Sequence, residues 1–256
     1  MTAYQGGKKR IGNKIYNVIC LVENNLCEEK LPYFEPFVGM AGVLKYFAKD
    51  KNRSIFACDA NIDLIMLWKK LQLDDKWKPP LTCSKKKYEM LKTSKKHSAE
   101  RAFIGITASW GCIFFRNYRL HYNPKKKYLK EGWNGLVKIK PYIKHVKFLK
   151  ATSYDNWCPE NMLIYCDPPY KNNNLGTELF TKFDSELFWE KMRIWSKNNI
   201  VIISESSAPE DFKEIWRVKS LTTNAGKTKK YDDCLFVYKT IYKKICKSDK
   251  NEIKEI

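Results

Sequence analysis

Residues 162–170 have the sequence MLIYCDPPY, in which an apolar run is followed by an acid, two prolines and a tyrosine. A short apolar run bounded by turn residues is typical of a buried strand. Open α/β sheets bind ligands beyond the carboxyl ends of their strands. The prolines fix φ and remove two backbone donors, so the carbonyls of the turn are left to accept hydrogen bonds. The stretch predicts a rigid acceptor beside an aromatic ring, suited to an exocyclic amine on a flat ring; a plain proline turn is the alternative.

Strand and helix patterns alternate on both sides of this stretch. Residues 53–58, 162–166 and 199–203 are predicted strands, whereas 14–25, 43–48, 61–71 and 184–197 are predicted helices, and 216–238 form a closing hairpin. Alternating strands and helices are typical of a parallel sheet with helices on both faces. The sequence therefore predicts an α/β fold, a doubly wound Rossmann-like sheet with a smaller, mainly helical lobe inserted. The sheet domain comprises residues 1–74 and 147–242, the lobe residues 75–146, and a charged tail, expected to fray, residues 243–256.

The composition indicates a polyanionic partner. The 256 residues carry a formal net charge of +20, from 48 Lys and Arg against 28 Asp and Glu. A chain this basic is typical of nucleic-acid binding, although a general lysine bias is the alternative. Nine cysteines without a CxxC pair, and three histidines, argue against a zinc site and favour free thiols in a reducing compartment. No apolar run approaches the roughly 20 residues that span a bilayer, so we expect a soluble intracellular protein.

A second set of residues indicates a nucleoside cofactor. Gly39 and Gly42 lie in the turn Phe37-Val38-Gly39-Met40-Ala41-Gly42, after one strand and before a helix. Such a turn lets the backbone approach a ligand closely, although a tight helix-capping turn has the same form. Asp59 ends the next strand, 20 residues after Gly39. An acid at this place commonly binds ribose hydroxyls, although it could instead cap the following helix.

These motifs together resemble a known family. Residues 4–8 (YQGGK), 35–42 (EPFVGMAG), Asp59 and residues 167–170 (DPPY) occur in an order similar to that of the Dam-like DNA adenine-N6 methyltransferases. Residues 200–206 and 229–238 resemble the late strand and the C-terminal hairpin of that family, so the resemblance covers roughly residues 3–240.

The resemblance implies S-adenosylmethionine as the cofactor and no metal. It assigns cofactor binding to Tyr4, Lys8, Phe37, Gly39, Gly42, Asp59, Asp155 and Asp167. It assigns catalysis to Asp167, Pro168 and Tyr170: the first two would accept hydrogen bonds from the N6 amine of adenine, and Tyr170 would stack on the base.

The expected partner is double-stranded DNA, with no membrane and with the protein as a monomer or at most a weak dimer. An adenine inside a duplex must be flipped out of the stack to reach such a pocket. The candidate DNA contacts are Arg116, Tyr118, Arg119, Lys125, Lys126 and Lys127. A solvated loop is the alternative for residues 125–127, and core packing is the preferred role for Phe114 and Phe115.

Other functions stay open beside DNA adenine methylation. Cytosine-N4 methyltransferases carry out similar chemistry but more often have Ser where this chain has Asp167. RNA adenine, a protein amide, and a catalytically silent nucleic-acid binder are further alternatives. Residues 116–119 and 133–135 only faintly resemble the recognition segments of the family, so its target sequence does not transfer, and GATC is suggested by the resemblance alone. An association with a restriction enzyme likewise does not follow from the residues themselves.

Overall fold

The structure is a computed structural model that describes residues 7–119, 127–169 and 183–247, except residues 225–226 and the side chains of residues 220–231. In chain order the described elements are α1 Gly12–Leu26, β1 Tyr33–Glu35, α2 Leu44–Phe47, β2 Ile55–Ala57, α3 Ile62–Leu73, α4 Lys85–Thr93, α5 Ala99–Thr107, α6 Tyr128–Ile139, β3 Lys147–Phe148, β4 Leu163–Cys166, α7 Ser185–Trp195, β5 Ile200–Glu205, β6 Phe212–Asn224, β7 Lys227–Tyr238 and α8 Lys239–Lys247.

Seven strands form one sheet in the order β3-β2-β1-β4-β5-β7-β6. Strands β1 to β5 are parallel, whereas β7 pairs antiparallel with both β5 and β6. The order β3-β2-β1-β4-β5 is that of a Rossmann-like doubly wound sheet. The first three strands are added in one direction from β1 and the next two in the other, so the strand order reverses between β1 and β4. The predicted fold class is confirmed, and the reversal creates a crevice at the carboxyl ends of β1 and β4.

The central strands and their covering helices explain where the core lies. Every residue of β4 and β5 is buried, as expected for parallel strands covered on both faces. Helix α1 buries Ile15, Val18, Ile19 and Val22, which recur at helical spacing on one face. The sheet is therefore tightly packed where the carboxyl ends of β1 and β4 border the crevice.

The helices of residues 75–146, the lobe predicted from the sequence, are fastened through α3 to the rest of the fold. Asp63, in the first turn of α3, is 1% exposed. Its Oδ1 accepts a 2.7 Å hydrogen bond from the backbone N–H of Ser98, and its Oδ2 pairs with the Arg101 guanidinium on α5. Arg101 also donates to the Leu91 carbonyl at 2.8 Å, which joins α4 to the same network. A buried carboxylate of the sheet domain thus holds two helices of the lobe.

The C-terminal helix differs from the sequence prediction. Helix α8 extends to Lys247, so the prediction that the charged tail begins and frays at residue 243 is wrong for residues 243–247. Ile241 and Ile245 are buried, one helical turn apart, while the lysines between them face outward. Charged composition concealed an amphipathic helix. None of the helices in the described part of the chain is long and apolar enough to cross a membrane.

Candidate active site

The site lies where the sheet order reverses. Asp167 and Pro168 directly follow β4, at the carboxyl edge that β4 shares with β1. The Asp167 side chain is 19% exposed, whereas Pro168 is buried. The structure thus places an acid that solvent can reach, backed by a buried proline, at the crevice that the fold provides for ligands.

Lys8 lies directly against this acid. Its Nζ is 2.8 Å from Oδ1 of Asp167 and 3.5 Å from Oδ1 of Asp233. The lysine side chain is buried, at 5% exposure. Burial raises the pKa of Asp167; the Lys8 ammonium lowers it in opposition, and the nearby Asp233 carboxylate raises it further. The charge of Asp167 therefore depends on where Lys8 sits.

The turn after β1 is joined to the acid after β2. The backbone N–H of Gly39 donates a 3.0 Å hydrogen bond to Oδ2 of Asp59, and Trp68 Nε1 donates to the Gly39 carbonyl, also at 3.0 Å. Gly39 has a φ of 46°, in the left-handed region that glycine tolerates and most residues do not. The two motifs that the sequence placed 20 residues apart are thus one structural unit.

Asp59 does not cap the helix that follows it. Asn61 is the cap of α3, since its side chain accepts from the backbone N–H of Leu64. Asp59 instead accepts from the N–H of Asn61 at 2.9 Å and from that of Gly39. Burial raises the pKa of Asp59, and these two N–H donors oppose that rise. The helix-capping alternative for Asp59 is therefore wrong.

The chain before α1 packs closely on the glycine turn. A Cβ added to Gly42 would lie 3.1 Å from the backbone nitrogen of Lys8, and a Cβ added to Gly12 would lie 2.4 Å from the Gly42 carbonyl oxygen. The glycines allow this backbone contact, which places Lys8 within reach of Asp167.

Aromatic side chains pack on Phe37, at the start of the glycine turn, and an acid, Asp155, directly follows one of them in sequence. The ring of Phe37 packs against Tyr154, with centroids 5.3 Å apart, and against Phe188 at 5.9 Å. Asp155 lies in the short 3-10 turn Tyr154–Asn156. Its Oδ1 is buried and has no hydrogen-bond partner among the described residues. A buried acceptor without a donor is costly unless a ligand or water supplies one.

Three further acids at this edge were missed by sequence reasoning. Glu35 ends β1, Glu205 ends β5, and Asp233 of β7 precedes the residue that pairs with Glu205. Together with Asp167 they form a row of carboxylates on four adjacent strands, β1, β4, β5 and β7. The sequence signal for Glu35 and Glu205 was an acid at the end of a strand, whereas Asp233 lies within β7, and the row appears once the strand order is known. No group of three His, Cys, Asp or Glu among the described residues is arranged to hold a metal ion.

Glu35 is the most deeply buried acid of this row, at 2% exposure. It accepts a 2.6 Å hydrogen bond from the Tyr33 hydroxyl. Burial raises its pKa well above the usual range; the bonds from Tyr33 and from the Leu44 backbone lower it, and Asp167 adds to the rise. Burial likewise raises the pKa of Glu205.

The candidate DNA contacts in the lobe have different environments. Arg116 and Lys127 are exposed, and Lys127 directly precedes α6. Tyr118 donates its hydroxyl to the Cys83 carbonyl at 2.6 Å, and Arg119 donates to the Thr107 carbonyl at 2.8 Å and covers the Tyr128 ring at 4.0 Å. Tyr118 and Arg119 thus make contacts within the lobe, and their role in DNA binding stays a prediction.

Other predicted residues fall into two groups. Phe115 is buried and Phe114 is half-buried against it, with ring centroids 4.8 Å apart, so core packing is confirmed for this pair. Four predicted site residues lie outside the described residues: Tyr4, Lys125, Lys126 and Tyr170.

The described residues fit a nucleoside cofactor chemically. Asp59 is half-buried beside a backbone turn that a ligand can approach, Phe37 offers an apolar ring, and Asp155 has a buried acceptor available. Such a set suits ribose hydroxyls, a flat ring and an amine donor, respectively.

Comparison with known proteins gives little beyond this geometry. No protein-family model and no curated protein matches the sequence. Among solved structures, the chain is similar to the crystal structure of precorrin-6y C5,15-methyltransferase from Geobacter metallireducens GS-15, with 8% sequence identity, a TM-score of 0.34, and coverage of 87% of this chain and 88% of that chain.

Proposed function

We propose that this protein is an S-adenosylmethionine-dependent methyltransferase that modifies the N6 amine of adenine in double-stranded DNA. The observation that carries the proposal is the position of Asp167 and Pro168, at the reversal of the sheet order and next to the unit formed by Gly39 and Asp59. An acceptor for an amine and a candidate nucleoside pocket therefore belong to adjacent strands, β4 and β1.

The proposed role of Asp167 follows from the chemistry of the amine. The N6 lone pair is delocalised into the adenine ring, which makes the amine a weak nucleophile. Hydrogen bonds from its protons to the Asp167 carboxylate and the Pro168 carbonyl would draw the nitrogen toward a tetrahedral shape. Hydrogen bonds to a charged acceptor are the stronger kind, and the Lys8 ammonium at 2.8 Å favours the charged form of Asp167.

The cofactor would be held by residues from both sides of the glycine turn. Asp59 would accept from the ribose hydroxyls, Phe37 would cover a flat ring, and Asp155 would accept from an amine donor. When bound, S-adenosylmethionine supplies a methyl group that its sulfonium charge has already activated. The contribution of the protein is to align the two reactants and to keep Asp167 ionised.

The proposed DNA contacts lie in the basic lobe. Arg116 and Lys127 are exposed cations that can pair with phosphates, and phosphate pairing offsets a flipping cost of about a few kcal/mol. The buried link from Asp63 to Ser98 and Arg101 would keep this surface in a fixed place relative to the crevice.

The test is transfer of a tritiated methyl group from S-adenosylmethionine to unmethylated duplex DNA, followed by nucleoside analysis. N6-methyladenine is the expected product. N4-methylcytosine would identify cytosine as the substrate and would support the alternative function, cytosine-N4 methylation. No incorporation, with DNA binding intact, would refute a DNA methyltransferase and would favour RNA or a silent binder. Fully methylated DNA of the same sequence is the matched control substrate.

A further inference from the structure

The row of carboxylates at the crevice contains an acid, Asp233, that the proposed mechanism does not use and that lies near Lys8. It is 4% exposed and comes from β7, on the far side of β5 from Asp167. Lys8 bridges the two, with its Nζ 2.8 Å from Asp167 and 3.5 Å from Asp233. A buried lysine between two acids from different strands has its position set by both of them.

We propose that Asp233 is a positioning residue, which holds Lys8 over the end of β4 and so fixes how the Lys8 ammonium meets the Asp167 carboxylate. The inference deepens the proposed function, on which its catalytic consequence rests. The position of the lysine is determined from both ends: its backbone lies against Gly42, and its side chain ends between Asp167 and Asp233.

Asp233 is set at this edge by the pairing of β7 with β5. Cys234 pairs with Glu205, the last residue of β5, so Asp233 lies just beyond that strand end. Asp232 precedes it on the strand, and successive side chains of a strand point to opposite faces. Asp232 is one-third exposed and pairs with Arg217 on β6, away from Lys8. The chain thus offers a matched control acid one residue away.

Removing Asp233 or Lys8 should move the titration of Asp167 in the same direction, because both changes take the Lys8 ammonium away from it. The charged and titratable groups that act on or respond to Asp167 are Lys8, Glu35, Cys166, Glu205 and Asp233. Lys8 lowers the pKa of Asp167, whereas Asp233 raises it. Asp233→Asn removes a like charge, which by itself would move the titration of Asp167 to lower pH. It also releases Lys8 from its place beside Asp167, and we expect this loss to dominate and to move the titration to higher pH. Lys8→Gln should move it to higher pH.

The first measurement needs no substrate. NMR of isotope-labelled aspartate carboxyl carbons, with Asp167 assigned through Asp167→Asn, follows its titration in the full-length protein. We expect an upward shift of about 1 pH unit or more in Lys8→Gln and a smaller upward shift in Asp233→Asn. Asp233→Glu should restore most of the wild-type value, and Asp232→Asn should leave it unchanged. An unchanged value or a downward shift in Asp233→Asn would mean that Asp233 acts on Asp167 through its charge alone, and would overturn the proposal.

The second measurement is the pH dependence of single-turnover methyl transfer. The acid limb should move in the same directions as the Asp167 titration, and the plateau rate of Asp233→Asn should fall by about tenfold, because a misplaced Lys8 no longer orients the acceptor. A lower plateau with an unmoved limb would mean a merely structural role and would overturn the proposal. A wild-type protein that methylates no DNA would refute the proposed function instead, and the NMR titration would then decide on Asp233 alone.

Discussion

The backbone N–H of Gly39 donates a 3.0 Å hydrogen bond to Oδ2 of Asp59, and this bond joins the turn after β1 to the acid after β2. The Asn61 N–H donates to the other carboxylate oxygen at 2.9 Å. One side chain therefore holds two segments of the candidate cofactor pocket. Asp59 as a residue is half-buried, and each of its carboxylate oxygens accepts one backbone hydrogen bond.

Asp59→Ala is expected to weaken S-adenosylmethionine binding by about 10- to 100-fold. The substitution removes the proposed acceptor for the ribose hydroxyls, and it also removes the acceptor for the backbone N–H groups of Gly39 and Asn61. Asp59→Asn should lose less, since it keeps one acceptor oxygen. Isothermal titration calorimetry measures both. Asp75→Asn, at an exposed acid that pairs with Lys140 and Lys144, is the control and should bind normally. Wild-type affinity in Asp59→Ala would remove Asp59 from the cofactor site.

Asp167→Ala is expected to abolish methyl transfer and to leave duplex affinity within about tenfold of the wild type. The acid would act on the amine in the reaction, whereas the proposed phosphate contacts lie in residues 75–146. Tritium incorporation and a fluorescence titration with labelled duplex separate the two effects. Turnover at the wild-type rate in this variant would refute the proposed mechanism.

Glu35 should make the stability of the protein depend on pH. Its pKa in the folded state is raised above the ordinary value by burial. As the pH rises above the ordinary pKa, the unfolded chain releases this proton first, so the free energy of unfolding falls until the raised folded pKa is reached. The expected slope is up to about 1.4 kcal/mol per pH unit for one proton.

Glu35→Gln lacks this proton and serves as the comparison. The difference in the free energy of unfolding between the variant and the wild type should shift in favour of the variant as the pH rises. Urea unfolding at several pH values above about 4.3 measures it. Parallel pH dependence of the two proteins would show that Glu35 ionises normally in the folded state.

Arg116 and Arg119 are three positions apart but should behave differently. Arg116→Ala is expected to weaken DNA binding at low salt and to reduce the salt slope by about 1, as for the loss of one phosphate contact. Arg119→Ala should instead reduce stability by about 1–3 kcal/mol, because Arg119 bonds the Thr107 carbonyl and covers the Tyr128 ring.

DNA titrations at several salt concentrations and urea unfolding measure these two effects separately. Lys51→Ala removes the same charge in the exposed loop before β2, at the amino ends of the parallel strands and therefore opposite the crevice. It should change neither the salt slope nor the stability much. An unchanged salt slope in Arg116→Ala would exclude Arg116 as a phosphate contact.

The sequence predicted those features that depend on short-range patterns. The buried strand before Asp167 and the glycine turn at Gly39 each combine an apolar run with turn residues. These patterns place the crevice correctly, because the carboxyl ends of parallel strands meet at one edge of the sheet. The pairing of Gly39 with Asp59 adds a contact that spacing alone did not specify.

The features that were not predicted depend on tertiary neighbours. Glu35, Glu205 and Asp233 are far apart in sequence and meet because β1, β4, β5 and β7 are adjacent in the sheet. Asn61, two residues after Asp59, is the true helix cap, a distinction that requires backbone geometry. Helix α8 was concealed because its lysines dominate its composition, while two isoleucines decide its packing.

The link between Asp63 and the lobe has a consequence for engineering. A chimera that exchanges residues 75–146 for another module would leave Asp63 behind and remove both Ser98 and Arg101. A buried carboxylate stripped of its partners costs about 3–5 kcal/mol, which a domain of ordinary stability barely tolerates. Helix α3 itself belongs with the sheet, because its Trp68 donates to the Gly39 carbonyl, so a graft should replace Asp63 together with residues 75–146.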